Sequence, residues 1–309
     1  MQYGRGKSAL RALITGATGL IGRALAACVA EPVVLSRAPE RVRPLEGARV
    51  YAWEPLARPP PEAAFDGVEC VFHLAGEPVA QGRWSASRKA AIRDSRVVGT
   101  RHLVAALAGI APVRRPPVLV SASGVGFYGD RGDEVLVETS TPGTDFLAEV
   151  CTAWEREALV ATHLGVRVVC VRIGIVLARQ GGALARMLPA FRLGAGGRLG
   201  SGQQWMSWIH LDDVVGLLLH ASRTAGISGP MNATAPLPVR NAEFVRDLGR
   251  VLHRPALLPV PALALRLVLG EMSQLLLGSQ RAMPTVADAS GYEYRHPRLR
   301  EALASAIRS

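Results

Sequence analysis

The sequence predicts an α/β fold: a Rossmann-type, doubly wound parallel sheet with a smaller, mostly helical C-terminal lobe. Two features point there. Short apolar runs alternate with helix-patterned segments through the first 175 residues, as in strands joined by crossover helices. The first run ends in a glycine-spaced turn, Gly16-Ala-Thr-Gly19-Leu-Ile-Gly22, that opens the first helix. With 309 residues, 49% of them apolar, the chain can bury a large core.

Each element carries its own signal. Leu10 to Ile14 is an apolar run ending in Thr-Gly, and Leu20 to Ala30 is Ala-rich and helical. Val33 to Leu35, Arg49 to Ala52 and Cys70 to Leu74 read as the second, third and fourth strands. Ser85 to Ala108 reads as a long helix and Val118 to Ser121 as the fifth strand. Asp145 to His163 is a helix and Val166 to Arg172 the sixth strand, while Arg58 to Pro61 is a Pro-rich loop.

Beyond residue 175 the rhythm changes. Gly181-Gly182 and Gly194 to Gly197 bracket a helix, Asp212 to Ser222 forms another, and Asn241 to Leu252 a third with Asn241 as N-cap. Pro255 to Ile307 reads as helical with a middle punctuated by Pro and Gly. The expected division is a dinucleotide-binding domain over 9–175 and a substrate lobe over 176–309. The second is interleaved with the first and ends in a small helical module, 255–306.

Composition narrows the function. The net charge is +11, and 34 of the 36 basic residues are arginine, scattered except at Arg83, Arg88, Lys89, Arg93 and Arg96. Only 5% of residues are aromatic, too few for a nucleic-acid stacking platform, so an anionic small molecule suits the charge better. The apolar stretch Pro261 to Gly278 is interrupted by Arg266, Gly270 and Glu271, which makes it too short to span a membrane. The N-terminus lacks an apolar export segment, and Cys28, Cys70, Cys151 and Cys170 form no CxxC pair. A cytoplasmic protein with reduced thiols and no metal site is expected, acting on a small molecule, with a homodimer among the assemblies open to it.

The glycine turn has a specific chemistry. Gly16 permits the tight exit from the strand, Gly19 lets backbone approach a pyrophosphate, and Gly22 lets the helix pack closely. The free N–H groups of the helix start then face the phosphates. Gly16, Thr18, Gly19, Leu20, Ile21 and Gly22 are therefore the expected phosphate contacts; the plain alternative is a structural turn. NAD sites place an acid at the end of the second strand. This chain has Ser36-Arg37 there instead. A guanidinium can fork onto a 2′-phosphate, which favours NADP(H), unless Arg37 is simply a solvated surface residue.

With these residues, His73-Leu-Ala-Gly76-Glu77 and Trp208-Ile-His210-Leu-Asp212-Asp213, the chain resembles the extended and atypical short-chain dehydrogenase/reductases. Within them it is most similar to the NADP-binding epimerase-family branch. Trp84 with Ile92-x-x-Ser95-Arg96-Val97, Gly126-Phe-Tyr-Gly129, the glycine-rich 194–202 segment and Ser290-Gly-Tyr-Glu-Tyr294 carry that likeness. It covers nearly the whole chain after residue 10. It implies that Leu74, Ala75 and Gly76 line the adenosine side and that Arg96 faces the cofactor, with Ala91 on the same helix. Val176 would lie near the nicotinamide end. A solvated helix face is the alternative for Arg96.

The same resemblance exposes a gap. The superfamily's Tyr-x-x-x-Lys pair, a general acid/base and the cation that tunes it, falls here on Phe146 and Val150. The accompanying Ser or Thr position falls on Ser123 or Gly124, depending on register. Ser123 and Tyr128 are the remaining catalytic candidates, with Ser121 close by. His210 reads as structural, Asp212 or Asp213 as an N-cap, and Cys151 as a buried thiol. Nucleotide-sugar enzymes of this plan often hold the diphosphate with an arginine shortly before the Ile-His pair. Here Gln203 to Ser207 stands instead, and Trp205, Met206 and Trp208 would form an apolar wall. Three functions follow: an NADP(H)-dependent oxidoreductase on a small, partly apolar carbonyl or alcohol; a non-catalytic NADP(H) sensor or scaffold; and a nucleotide-sugar epimerase or dehydratase.

Overall fold

The computed structural model describes residues 8–42 and 47–308. The N-terminal heptapeptide read against an export signal, and Ser309 at the end of the second lobe, lie outside the described residues. The first half runs β1 (Ser8–Thr15), α1 (Leu20–Ala27), β2 (Val29–Ser36), β3 (Arg49–Ala52), β4 (Cys70–His73), α2 (Ala86–Gly109) and β5 (Val118–Gly124). A short β6 (Val135–Leu136), α3 (Phe146–Leu159), β7 (Arg167–Ile173), β8 (Ile175–Leu177) and α4 (Gly182–Arg192) follow. Next come β9 (Trp205–Met206), β10 (Trp208–His210), α5 (Leu211–Arg223), β11 (Gly229–Ala233), β12 (Val239–Arg240) and α6 (Asn241–Leu252). The chain closes with α7 (Ala262–Leu269), α8 (Gln274–Leu277), β13 (Arg281–Ala282), α9 (Thr285–Ala289) and α10 (Leu299–Arg308).

Seven strands form one parallel sheet in the order β3-β2-β1-β4-β5-β7-β11. The direction of winding reverses between β1 and β4, which opens a crevice at their carboxyl ends. Alternate residues of each strand feed opposite faces. Ile14 and Val120 pack with Leu25, Val214 and Leu218 from α1 and α5 on one side. Leu13 and Leu119 pack with Leu103, Leu107 and Ala158 from α2 and α3 on the other. A separate core around Trp208, Phe244, Leu248 and Leu303 joins β10, α6 and α10. Among the described residues, no helix is long and apolar enough to cross a membrane.

Three local expectations change. The helix expected to reach Ala30 stops at Ala27, because Val29 is buried and pairs with Ser8 to begin β2. Sheet pairing overrides the helical preference of an Ala-rich run. Asn241 is not a cap: it is the first residue of α6, and its buried amide accepts from Leu199 N and contacts Met206 Sδ. Gly229–Ala233, unremarkable in sequence, returns to the main sheet as a seventh strand beside β7.

Candidate functional site

The Gly16 loop sits at the reversal between β1 and β4. Gly16 has φ +71°, and a Cβ there would stand 2.8 Å from the Leu74 carbonyl. A Cβ on Gly22 would collide with the Gly16 carbonyl oxygen and Ala17, so the third glycine packs on the loop itself rather than on the sheet. A Cβ on Gly19 would meet only Gly16 O, at 3.2 Å. No side chain caps α1, whose first turn carries no acid. The loop therefore offers backbone N–H groups at the positive end of a helix.

Thr15 and Thr100, which sequence reasoning passed over, fix the neighbouring 74–76 segment. Thr15 Oγ1 accepts from Leu74 N and Ala75 N at 3.1 Å each and bonds His73 Nδ1 at 2.8 Å. His73 Nε2 lies 2.9 Å from Thr100 Oγ1, which donates to Arg96 O. Arg96 packs beneath Gly76, its Nη1 donating to the carbonyls of Glu77 and Ile92 at 3.0 Å. Its guanidinium also lies 5.1 Å from the centre of the Trp154 ring. Arg96 is thus a strut under the loop, not a solvated helix face.

At the end of β2, the Ser36 hydroxyl accepts from Ala38 N at 3.1 Å. Arg37 is largely exposed and lies 3.6 Å from Glu77, which also pairs with Arg88 at 3.2 Å. No acid occupies the Ser36-Arg37 position. Val176 lies in β8. A Cβ on the following Gly181 or Gly182 would lie 3.4 or 3.5 Å from the Leu20 side chain, so this segment runs close to the start of α1.

Ser123 and Tyr128 come together, but inside the protein. Arg172 donates to Glu155 through Nε (2.9 Å) and Nη2 (2.8 Å), and Ser123 Oγ donates to the same carboxylate at 2.6 Å. Tyr128 is fully buried. Its hydroxyl accepts from Arg172 at 3.0 Å and bonds Asn232 Oδ1 at 2.7 Å. Burial raises the tyrosine's pKa, against the opposing pull of Arg172. Both hydroxyls are committed to this network, so neither stands free toward an open cleft.

The Tyr-x-x-x-Lys positions are apolar in fact as in sequence. Phe146 stacks edge-on against Trp84 at 5.1 Å, and Val150 is buried. The Lys89 ammonium lies 5.2 Å from the Phe146 ring centre and pairs with Glu271. Met272, Leu269 and Leu275 of the C-terminal module pack around Trp84, Phe146 and Leu147. The module thus walls the region where the missing pair would act. A neighbouring cavity of about 510 Å³ lies between Asp130, Arg131, Asp145 and the module's Arg266, Ser273 and Gln280. Cys151 is buried, its thiol pushed up to about 11 by burial.

The apolar wall expected from Trp205, Met206 and Trp208 does not form. Trp208 and Met206 are buried in the second core. Trp205 lies between Arg240 and Arg281, 4.7 and 4.4 Å from its ring centre. The α5 cap is His210, whose Nδ1 accepts from Asp212 N, rather than either aspartate. Asp213 is fully buried and accepts from Arg295 N (2.8 Å) and His296 N (3.0 Å), docking the C-terminal module. His210, Asp212 and His296 bring donor atoms within 4.8 Å of one another; Asp212 N–H already occupies Nδ1 of His210, and the two imidazole centres lie 3.9 Å apart with their planes tilted by 40°.

Comparison with known proteins agrees with this geometry. The sequence profile of the NAD dependent epimerase/dehydratase family matches residues 12–232. That of a domain of unknown function, DUF1731, matches residues 260–306. Epimerase family protein Mb2239 of Mycobacterium bovis is 42% identical over 299 residues, covering 94% of this chain and 95% of that one. The chloroplastic epimerase family protein SDR39U1 homolog of Arabidopsis thaliana is 41% identical over 302 residues, covering 96% and 86%. The crystal structure of human epimerase family protein SDR39U1 (isoform2) with NADPH is similar at TM-score 0.84 and 32% identity, covering 97% of this chain and all of that one.

Proposed function

Because the chain belongs to the NAD dependent epimerase/dehydratase family, we propose that it binds NADP(H) and acts as an oxidoreductase on a small, partly apolar carbonyl or alcohol. The observation that carries the cofactor reading is the Gly16 loop, a positive-φ turn with no room for a Cβ, opening an uncapped helix. The human relative crystallised with NADPH supports the same reading.

In this reading Gly16, Thr18, Gly19, Leu20, Ile21 and Gly22 hold the pyrophosphate. Arg37 and Ser36 take the 2′-phosphate, with Arg37 turning from Glu77 to a stronger anion. Leu74, Ala75 and Gly76 flank the adenosine side, Arg96 supports them from below, and Val176 lies toward the nicotinamide. When bound, the nicotinamide supplies or accepts hydride. Trp84, Phe146, Leu147 and Met272 exclude water from the reacting end. Residues 9–175 serve the cofactor and 176–309 the substrate, in a cytoplasmic protein.

A second reading has its own observation. With Phe146 and Val150 in place of an acid/base pair, and Ser123 and Tyr128 bound inward, the chain would hold NADP(H) as a sensor or scaffold without turnover. Fluorescence titration with NADPH and NADH tests the cofactor assignment. Wild type prefers NADPH and Arg37→Ala removes the preference; equal affinities in wild type would overturn it. Absorbance at 340 nm across a carbonyl panel then separates the two readings. Oxidation of bound NADPH supports the enzyme, and cofactor-linked thermal stabilisation without oxidation supports the sensor.

A further inference from the structure

One face of the second lobe is apolar and cationic at once. Helix α7 buries none of its residues. Leu263, Leu267 and Val268 on it, Leu257 and Leu258 just before it, and Leu193 on the adjoining loop are 58% to 85% exposed. These six are half of the twelve exposed large apolar side chains among the described residues. Single exposed leucines are ordinary, but a cluster marks a contact surface. The cluster is held in place: Leu258 N donates to Gly196 O and Val260 N to Arg198 O, at 3.1 and 2.9 Å.

Beside Leu257 opens a groove of about 870 Å³ whose walls carry Arg198, Arg246, Arg250, His253, Arg254 and Arg300. No Asp or Glu lines it. Asp247 reaches Arg250 only at 3.5 Å and Arg246 at 4.0 Å. Gathered cations repel one another and are relieved by an anion. Leu257 belongs to both features, lining the groove and standing among the exposed leucines, so one partner should answer both.

We propose that this face docks on an anionic lipid bilayer, its arginines taking phosphate headgroups and its leucines entering the interfacial layer. Charge selects this occupant. A second copy joined by a two-fold axis would set the same patch on both sides of the contact, arginine groove included. An anionic lipid surface instead offers negative charge above an apolar layer, the complement of both features. The contact is peripheral and needs no membrane-spanning helix.

Sedimentation with vesicles tests it, using the full-length protein with phosphatidylcholine alone and with phosphatidylcholine containing phosphatidylglycerol. The protein should sediment with the anionic vesicles only and be released by about 0.5 M salt. Arg246→Glu with Arg250→Glu should weaken binding at least about 25-fold. Leu263→Glu with Leu267→Glu should abolish it. All four sites are exposed, so unfolding midpoints should stay at the wild-type value. Three results would overturn the proposal: no binding to anionic vesicles, equal binding to neutral ones, or unchanged binding by both variants. Two others would reassign the face. A dimer in light scattering that Leu263→Glu with Leu267→Glu dissociates would give it to a second copy. Calorimetric binding of inorganic phosphate without vesicle binding would make the groove a site for soluble anions.

Discussion

Thr15 Oγ1 lies 2.8 Å from Nδ1 of His73, and that bond sets the direction of a buried hydrogen-bond chain under the proposed cofactor site. Thr15 Oγ1 accepts from the Leu74 and Ala75 amides, so its proton goes to His73 Nδ1. Thr100 donates to Arg96 O, so it accepts from His73 Nε2–H. The chain is complete only with a neutral imidazole. Thr15→Val removes both the proton for His73 and the acceptor for Ala75. It should destabilise the protein by about 3 kcal/mol in urea unfolding and weaken NADPH binding, while Thr15→Ser should restore both. Wild-type NADPH affinity in a folded Thr15→Val protein would separate this chain from the cofactor site.

The same neutrality predicts a pH response. Burial, then Arg96, pushes His73 down to about 4 from an ordinary 6.5. Burial and His296 lower His210 in the same direction. Between those values the unfolded chain binds protons that the folded one refuses, so stability falls as pH drops from about 6.5 to 4. His73 alone accounts for about 3 kcal/mol across that window. Urea unfolding of His73→Asn should show a slope smaller by about 1.4 kcal/mol per pH unit there. An unchanged slope would mean that His73 is charged in the fold.

Arg172 and Glu155 test the buried network. Arg172→Met leaves a carboxylate inside the protein without its partner and should cost about 3–5 kcal/mol. Adding Glu155→Leu removes the stranded charge and should recover most of that loss, as read from urea midpoints. Losses that simply add would show that the two side chains act independently.

The missing catalytic pair cannot be restored symmetrically. Phe146 is partly exposed beside Trp84 and Lys89, so Phe146→Tyr should leave the thermal midpoint within about 2 °C. Val150 is buried, so Val150→Lys places an ammonium in the core and should cost at least about 3 kcal/mol. If Phe146→Tyr alone raised NADPH oxidation in the carbonyl panel, the pocket would already be shaped for carbonyl chemistry.

Asp213 should govern the C-terminal module. Asp213→Ala strands the Arg295 and His296 amides and removes an acceptor for the Tyr292 hydroxyl, 3.2 Å away. Limited proteolysis should then cut near residues 291–298 at least tenfold faster, for a loss of about 2 kcal/mol of local stability. NADPH affinity should hold, because the stranded amides belong to residues 295 and 296 and not to the Gly16 loop. Unchanged cleavage would mean that packing by Leu299 and Leu303, rather than these bonds, seats the module.

What the sequence determined by itself is local. The fold class follows from apolar runs of strand length alternating with helices. The phosphate loop follows from glycine spacing, because turn conformation depends on only a few neighbouring residues. The absence of a tyrosine and a lysine at 146 and 150 needs no coordinates at all. Tertiary structure decided whatever depends on partners far apart in the chain. Val29 left a helix for a strand because Ser8 was there to pair with it. Tyr128 turned inward because Arg172 and Asn232, 44 and 104 residues away, closed around its hydroxyl. Asp213 became a clamp rather than a cap because residues 295 and 296 return to its carboxylate. Hydrogen bonds and burial are set by distance in space, and a sequence orders its residues only along the chain.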